Sequence, residues 1–312
     1  MSITVAQLDL GATIAGEFAG VPRPCTGPRL NVKRMRVKMK IIFSRKGFDS
    51  AAGGCPSPII DGQPVSLPIP STMPTPTRFG DLPEPYGRLV FDLTRGRFTP
   101  DDRCHLDPDI NPASLPRQTG WRGALGQVRA AQGHLANQRI QPGDLFVFWG
   151  LFQSVDHDGR WRYMGKPEHR VWGWLQIAEI VDLGVDGTHA VAERPWLADH
   201  PHTRAGWFPQ NALYVASEEL TLGSQALSMP GSGLLRTGHR LTAPGASLST
   251  WRVPDWLNPR RGGSGMTYHP PHRWGPDGTV QSAPRGQEFV AVPANDGRAI
   301  EWLTALLGEI LE

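Results

Sequence analysis

Short apolar runs separated by glycine- and proline-rich stretches set the rhythm of this chain, and runs of that length read as strands more readily than as helices. Lys40-Ile41-Ile42-Phe43-Ser44 is the first, β-branched and aromatic and ending in a polar, glycine-containing turn, as a buried strand does. Ser50 to Pro85 is a long loop carrying only a short strand candidate at Val65–Ile69, and Leu89–Leu93 is the next candidate strand. Trp121, Leu125, Val128, Gln132 and Leu135 recur at helical spacing, which predicts one amphipathic helix capped by Thr119 and ending near Gln138.

Asp144 to Phe152 is apolar on both faces, the pattern of a central strand. A turn over Asp156–Gly159 leads into Arg162–Met164, and then into a long strand over Val171–Val181 with a bulge at Gly173. Asn211–Ala216 and Phe289–Val292 are further strands, Ile300–Leu311 is a closing helix, and 223–285 reads as irregular. The sum is an α+β fold, with a mixed, partly barrel-like sheet, a few helices and long Gly/Pro-rich loops.

Composition supports this reading. The 39% of hydrophobic residues suffices for a substantial core, and 36 glycines with 30 prolines favour turns over long helices. No apolar run is long enough for a transmembrane helix, and neither an N-terminal secretory core nor a disulfide pattern among Cys25, Cys55 and Cys104 is present, so a cytoplasmic protein is expected.

Charge is unevenly placed. Residues 1–40 carry seven Lys/Arg against Asp9 and Glu17, whereas the remainder has 25 basic and 27 acidic residues. The basic pI of about 8.9 therefore belongs to the leader, which excludes a body that binds DNA by bulk electrostatics. Residues 1–38 are expected to be a disordered extension, with Met35 and Met39 as later starts, and 39–312 a single domain. Val32–Met39 also has the closely spaced cations of a nucleic-acid-binding arm.

The main candidate site is Ser44-Arg45-Lys46-Gly47-Phe48-Asp49, followed by Gly53-Gly54-Cys55. Cations just beyond a strand end can grip a phosphate, glycines let backbone N–H groups approach it, and Asp49 can handle a proton. The bland alternative is a surface turn closed by an ion pair. Cys55 is a conceivable nucleophile but reads better as a small buried residue. Glu288, in Arg285–Phe289, is either a general base or an ion-paired carboxylate.

Cys104-His105 with Asp107 and Asp109 carries metal-competent atoms, but adjacent residues do not readily share one ion and no matching pair is apparent, so no metal site is expected. His200-Pro201-His202 and His269 to His272 can in principle assemble a metal or acid–base centre, although His beside Pro in a loop more often caps a turn. Trp149, Trp172 and Trp174 are either core or the walls of a base-stacking pocket, the last two sharing a face only without a bulge at Gly173.

Lys40–Pro58 (KIIFSRKGFDSAAGGCPSP), Gly143–Phe152 (GDLFVFWGLF), Val171–Leu183 (VWGWLQIAEIVDL), Asn211–Ala216 (NALYVA) and Arg285–Val290 (RGQEFV) together resemble the third family of nucleotide-modification-associated domains. The resemblance spans residues 39–307. It implies a bacterial or phage protein linked to modified nucleotides in DNA, with neighbouring DNA-modification enzymes as partners. Its implied site comprises Asp49 and Glu288 for catalysis and Ser44, Arg45 and Lys46 for substrate binding, to which the residue reading adds Gly53 and Gly54. No cofactor is specified. The alternative function is a non-catalytic reader of modified bases. The Gly143-Asp144 turn and the strand after it are also similar, at the level of fold, to the PUA-like barrels.

Overall fold

The computed structural model describes residues 38–308 apart from Pro74, Ala294 and Asn295, so the leader expected over 1–38 lies, except for Lys38, outside the described residues. The first strand, β1 (Ile41–Arg45), is buried at all but its last residue and starts next to Met39, which packs against the core. The loop after it holds β2 (Ser57–Ile60), β3 (Gln63–Pro64) and β4 (Ile69–Pro70), the last paired with β5 (Cys104–His105). Of the strand expected over Val65–Ile69 only Ile69 is extended in a ladder, as the start of β4. Residues 65–68 link β3 to β4, where prolines at 64, 68 and 70 remove ladder donors.

Leu89–Leu93 is not a strand but the end of helix α1 (Tyr86–Leu93). Leu89, Val90 and Leu93 pack into one cluster with Phe79 and Leu82 while Phe91 is exposed. That is helical spacing; a strand would put 89, 91 and 93 on one face. The helix expected from Thr119 is likewise split into β6 (Ala124–Val128) and α2 (Arg129–Asn137). Gly123 and Gly126 weaken a helix there, and a neighbouring strand offers the backbone a ladder instead.

The centre of the fold is β7 (Leu145–His157), which pairs over Leu145–Phe152 with β9 (Glu168–Asp182) and at its end forms a hairpin with β8 (Trp161–Tyr163). Helix α3 (Thr188–Glu193) precedes β10 (Asn211–Ala216), which lies between β9 and β6. The region 223–285, read as irregular, contains most of a further set: β11 (Glu219–Leu222) with β12 (Gln225–Pro230), β13 (Ser232–Arg240) on β9, and β14 (Thr250–Arg252) with β15 (Thr279–Gln281). Finally β16 (Glu288–Ala291) pairs with β1, and α4 (Asp296–Gly308) follows.

The main sheet runs β16-β1-β7-β9-β10-β6, with β1 and β2 parallel to β7 and the other pairs antiparallel. It is mixed and does not close into a barrel, and the expected α+β fold holds. Parity divides the core. Ile41, Phe43, Leu145, Val147 and Trp149 face one cluster, with residues of α4 and β14; Ile42, Phe146, Phe148 and Phe152 face the other.

The bulge expected at Gly173 is present. Phe148 pairs with Gly173 and Trp149 with Val171, leaving Trp172 as the extra residue. Trp172 and Trp174 consequently lie in opposite clusters, both buried. Gly173 is required for closeness as well, since a Cβ there would stand 2.8 Å from both the Gly233 carbonyl oxygen and the Ile110 side chain.

Candidate functional site

Strand alternation carries Ser44 to the same face as Ile42, and the β1–β16 register sets it opposite Glu288. Ser44 Oγ donates to Glu288 Oε1 at 3.0 Å, and Gln127 Nε2, from β6, donates to the same oxygen. Glu288 is only 1% exposed, and its Oε2 has no hydrogen-bond partner among the described residues. Burial pushes this carboxyl up to about 7; Lys46 and the Ser44 bond oppose the shift, and the nearby Asp107 charge adds to it.

Lys46 follows the strand. Its N–H donates to the Trp149 carbonyl, and its Nζ stands 3.9 Å from Glu288 Oε1 and 3.9 Å from Asp107 Oδ2. All three side chains are at most 10% exposed, so one ammonium serves two buried carboxylates. Asp107 is itself firmly held: Oδ1 accepts the Gly126 N–H at 2.7 Å and faces His200 Nε2 at 3.4 Å. Burial alone would raise its pKa, but His105, His200, Lys46 and His202 together outweigh burial and keep it well below the ordinary carboxylate range.

These groups back a cleft of about 320 Å³, lined by Arg45, Lys46 and Asp49 together with His105, Asp107, Gln127, His202 and Trp207. The loop residues Thr72 and Met73 also line it. The Trp207 ring lies flat on His202, with centroids 4.3 Å apart and planes at 10°, and donates its indole N–H to the Pro201 carbonyl. Burial lowers His202 to about 3, so its imidazole is neutral at physiological pH.

Arg45 and Asp49 form an ion pair at 3.2 Å at the cleft rim, Arg45 being about a third exposed. Asp49 is also a turn builder, because its Oδ1 accepts the N–H groups of Ala51 and Ala52, both at 2.7 Å. Gly53 and Gly54, both at positive φ, meet protein rather than open space: a Cβ on Gly53 would fall within 2.3 Å of the Phe48 ring, and one on Gly54 within 2.5 Å of the Arg97 guanidinium. Arg97 in turn donates to the Gly53 carbonyl.

The fold thus brings Ser44, Lys46 and Glu288 together, sets Arg45 and Asp49 at the rim, and leaves the glycines behind the turn. Cys55 is half-buried beside Tyr163, and burial raises its thiol, which disfavours the thiolate a nucleophile needs. Of the 104–109 run, Cys104 enters the hydrophobic cluster beneath α1 and Asp109 is taken by Arg117 at 2.6 Å, whereas His105 and Asp107 face the cleft. There they meet His202, the matching partner that spacing did not reveal. His269 is elsewhere, with Nδ1 on the Thr267 carbonyl and Nε2 accepting from Ala283.

Gln127, Asp107 and Trp207 line the cleft, and the sequence reading missed them or left them unassigned. A polar residue among apolar ones, in a segment that folds as a buried strand, is the one signal that could have found Gln127. Among the described residues, no helix is long and apolar enough to cross a membrane.

Residues 40–292 match the family model of nucleotide modification associated domain 3, and the chain belongs to that family. No curated protein and no solved structure matches it significantly.

Proposed function

We propose that this member of the nucleotide modification associated domain 3 family is an enzyme that binds a phosphate-bearing nucleotide, free or within modified DNA, in the cleft at the end of β1. The observation that carries the reading is Lys46 suspended between buried Asp107 and Glu288 at the cleft wall. Burying each ion costs several kcal/mol, roughly, before its partners compensate. Two carboxylates around one ammonium are a poor structural device, but a good means of holding one carboxyl near neutral pKa for proton transfer.

In this reading Arg45 meets the phosphate at the rim and Lys46 supplies a second cation deeper in the cleft. Glu288 stands behind the wall, so it exchanges its proton through Lys46 rather than by touching the substrate, while Gln127 holds its Oε1 in place. Ser44 fixes Glu288, and Asp49 orients Arg45 through their ion pair. Gly53 and Gly54 shape the turn that carries Asp49.

Calorimetric titration with nucleoside mono- and diphosphates, and with duplexes carrying modified bases, tests the reading. Arg45→Ala should weaken binding by about tenfold or more, the loss of one charge-assisted contact. Glu288→Gln should retain binding and abolish turnover. Unchanged affinity in Arg45→Ala together with unchanged turnover in Glu288→Gln would overturn it.

A non-catalytic reader of modified bases is the second reading, favoured by the Trp207 ring on the cleft wall, since aromatic faces stack bases. It predicts that Trp207→Ala abolishes binding and that no ligand is ever converted.

A further inference from the structure

We propose that His105, Asp107 and His202 bind a divalent first-row transition ion, with the open side of its coordination sphere toward the cleft. His105 Nε2 and His202 Nε2 are 3.2 Å apart, and Asp107 Oδ2 stands 3.8 Å from the first and 3.7 Å from the second. Metal–ligand bonds of about 2.0–2.2 Å at tetrahedral angles set neighbouring donors roughly 3.3–3.6 Å apart. The three atoms therefore form a triangle that an ion fits with adjustments of a few tenths of an ångström.

Supporting contacts aim two of the three donors inward. Asn211 Nδ2 donates to the His202 carbonyl at 3.1 Å, which turns its Oδ1 toward the ring, 2.9 Å from His202 Nδ1. His202 Nδ1 therefore carries the proton and Nε2 presents a lone pair, the arrangement in which histidines ligate metals. On Asp107, Oδ1 is occupied by the Gly126 N–H and faces His200, so Oδ2 is the oxygen turned to the histidines, with the Lys46 ammonium 3.9 Å from it on the other side of the pair.

The backbone makes room for this. A Cβ on Gly126 would lie 2.2 Å from the His202 ring, so a residue with no side chain is needed where the imidazole crosses β6. Trp207 covers the outer face of the same ring and fixes its plane.

Two imidazoles and one carboxylate select borderline ions such as zinc, cobalt, iron or manganese over magnesium and calcium, which prefer oxygen donors. Three protein ligands beside a cleft match sites that keep a position for water or substrate rather than closed structural sites. Without an ion, the same residues would make a histidine–histidine hydrogen bond beside an Asp107–Lys46 ion pair. Metal binding distinguishes the two, and it is measured without nucleotide, so it stands or falls separately from the proposed function.

The full chain, stripped with a chelator, is titrated with cobalt(II) while visible d–d absorption is followed, and zinc is then used in competition. One cobalt per chain is expected. His202→Ala or Asp107→Asn should lower affinity at least about 100-fold, and Asn211→Ala about 10- to 100-fold. The exposed His272→Ala should bind as the unaltered chain does. Circular dichroism checks the fold of every variant. Absence of stoichiometric cobalt binding by the unaltered chain overturns the proposal whatever the variants do, as does undiminished binding in folded His202→Ala or Asp107→Asn.

Discussion

Ser44 and Glu288 are 244 residues apart in sequence, yet they face each other across the β1–β16 ladder, with Ser44 Oγ donating to Glu288 Oε1 at 3.0 Å. Neighbouring pairs on these strands are apolar, so the ladder brings one polar pair to the end of a buried sheet just where Lys46 leaves β1. The consequences can be measured.

Glu288 should impose a pH dependence on stability. Its folded-state pKa is raised from 4.5 to about 7, so the folded protein binds more protons than the unfolded chain between those values. Stability from this group is full below the lower value and declines as pH rises through the higher one. Glu288→Gln removes the decline. Urea unfolding at pH 5 and pH 8 should show the variant gaining on the unaltered protein by roughly 2–3 kcal/mol at the higher pH. Buried neutral His169 and His202 act with the opposite sign, stability rising with pH up to about 6.5, but they are common to both proteins and cancel in the difference.

Asp49 separates a turn role from a chemical one. Asp49→Ala removes the acceptor for two backbone N–H groups and the Arg45 partner, and should cost about 1–2 kcal/mol of stability. Asp49→Asn keeps an acceptor oxygen and should recover most of that loss. If Asp49 instead transfers a proton to or from the substrate, the Asn variant will be stable but inactive, so chemical denaturation and turnover on the two variants resolve the point.

Gly53→Ala should behave as a packing mutation. Its φ of +81° and the nearness of the Phe48 ring make any Cβ costly, on the order of 1–3 kcal/mol. Loss of stability that exceeds the loss of ligand affinity is the expected pattern in thermal melting and titration. The reverse pattern would put the ligand against this glycine.

Trp174→Ala should destabilise by about 3–5 kcal/mol, because the ring is buried and donates its N–H to the Pro230 carbonyl. A folded variant with normal stability and no ligand binding would return Trp174 to a binding role.

Part of this molecule was legible from local pattern. β1, β10 and β16 were anticipated to within a residue at each end, and β7 and β9 in their apolar cores but not in their polar extensions at 153–157 and 168–170, because a strand buried on both faces writes itself as an uninterrupted apolar run. The bulge beside Gly173 was legible for a similar reason, glycine within a strand being informative by itself. Leu89–Leu93 was ambiguous because a five-residue apolar run fits either period, and only packing against Phe79 and Leu82 selects the helix. The helix expected from Thr119 failed because β10 offers Ala124–Val128 a ladder partner nearly 90 residues on.

The site divides in the same way. The sequence by itself determined that cations and an acid follow the first strand, that Glu288 opens the last one, and that the chain resembles a nucleotide-modification family. Only the tertiary structure decided which of these groups meet. It paired Ser44 with Glu288, strung Lys46 between two carboxylates, closed Arg45 on Asp49, and carried His202 across β6 to His105 and Asp107. Burial, and with it the shift of a carboxyl toward neutral pH, is a property of the surrounding atoms, and these come from segments far apart in the chain.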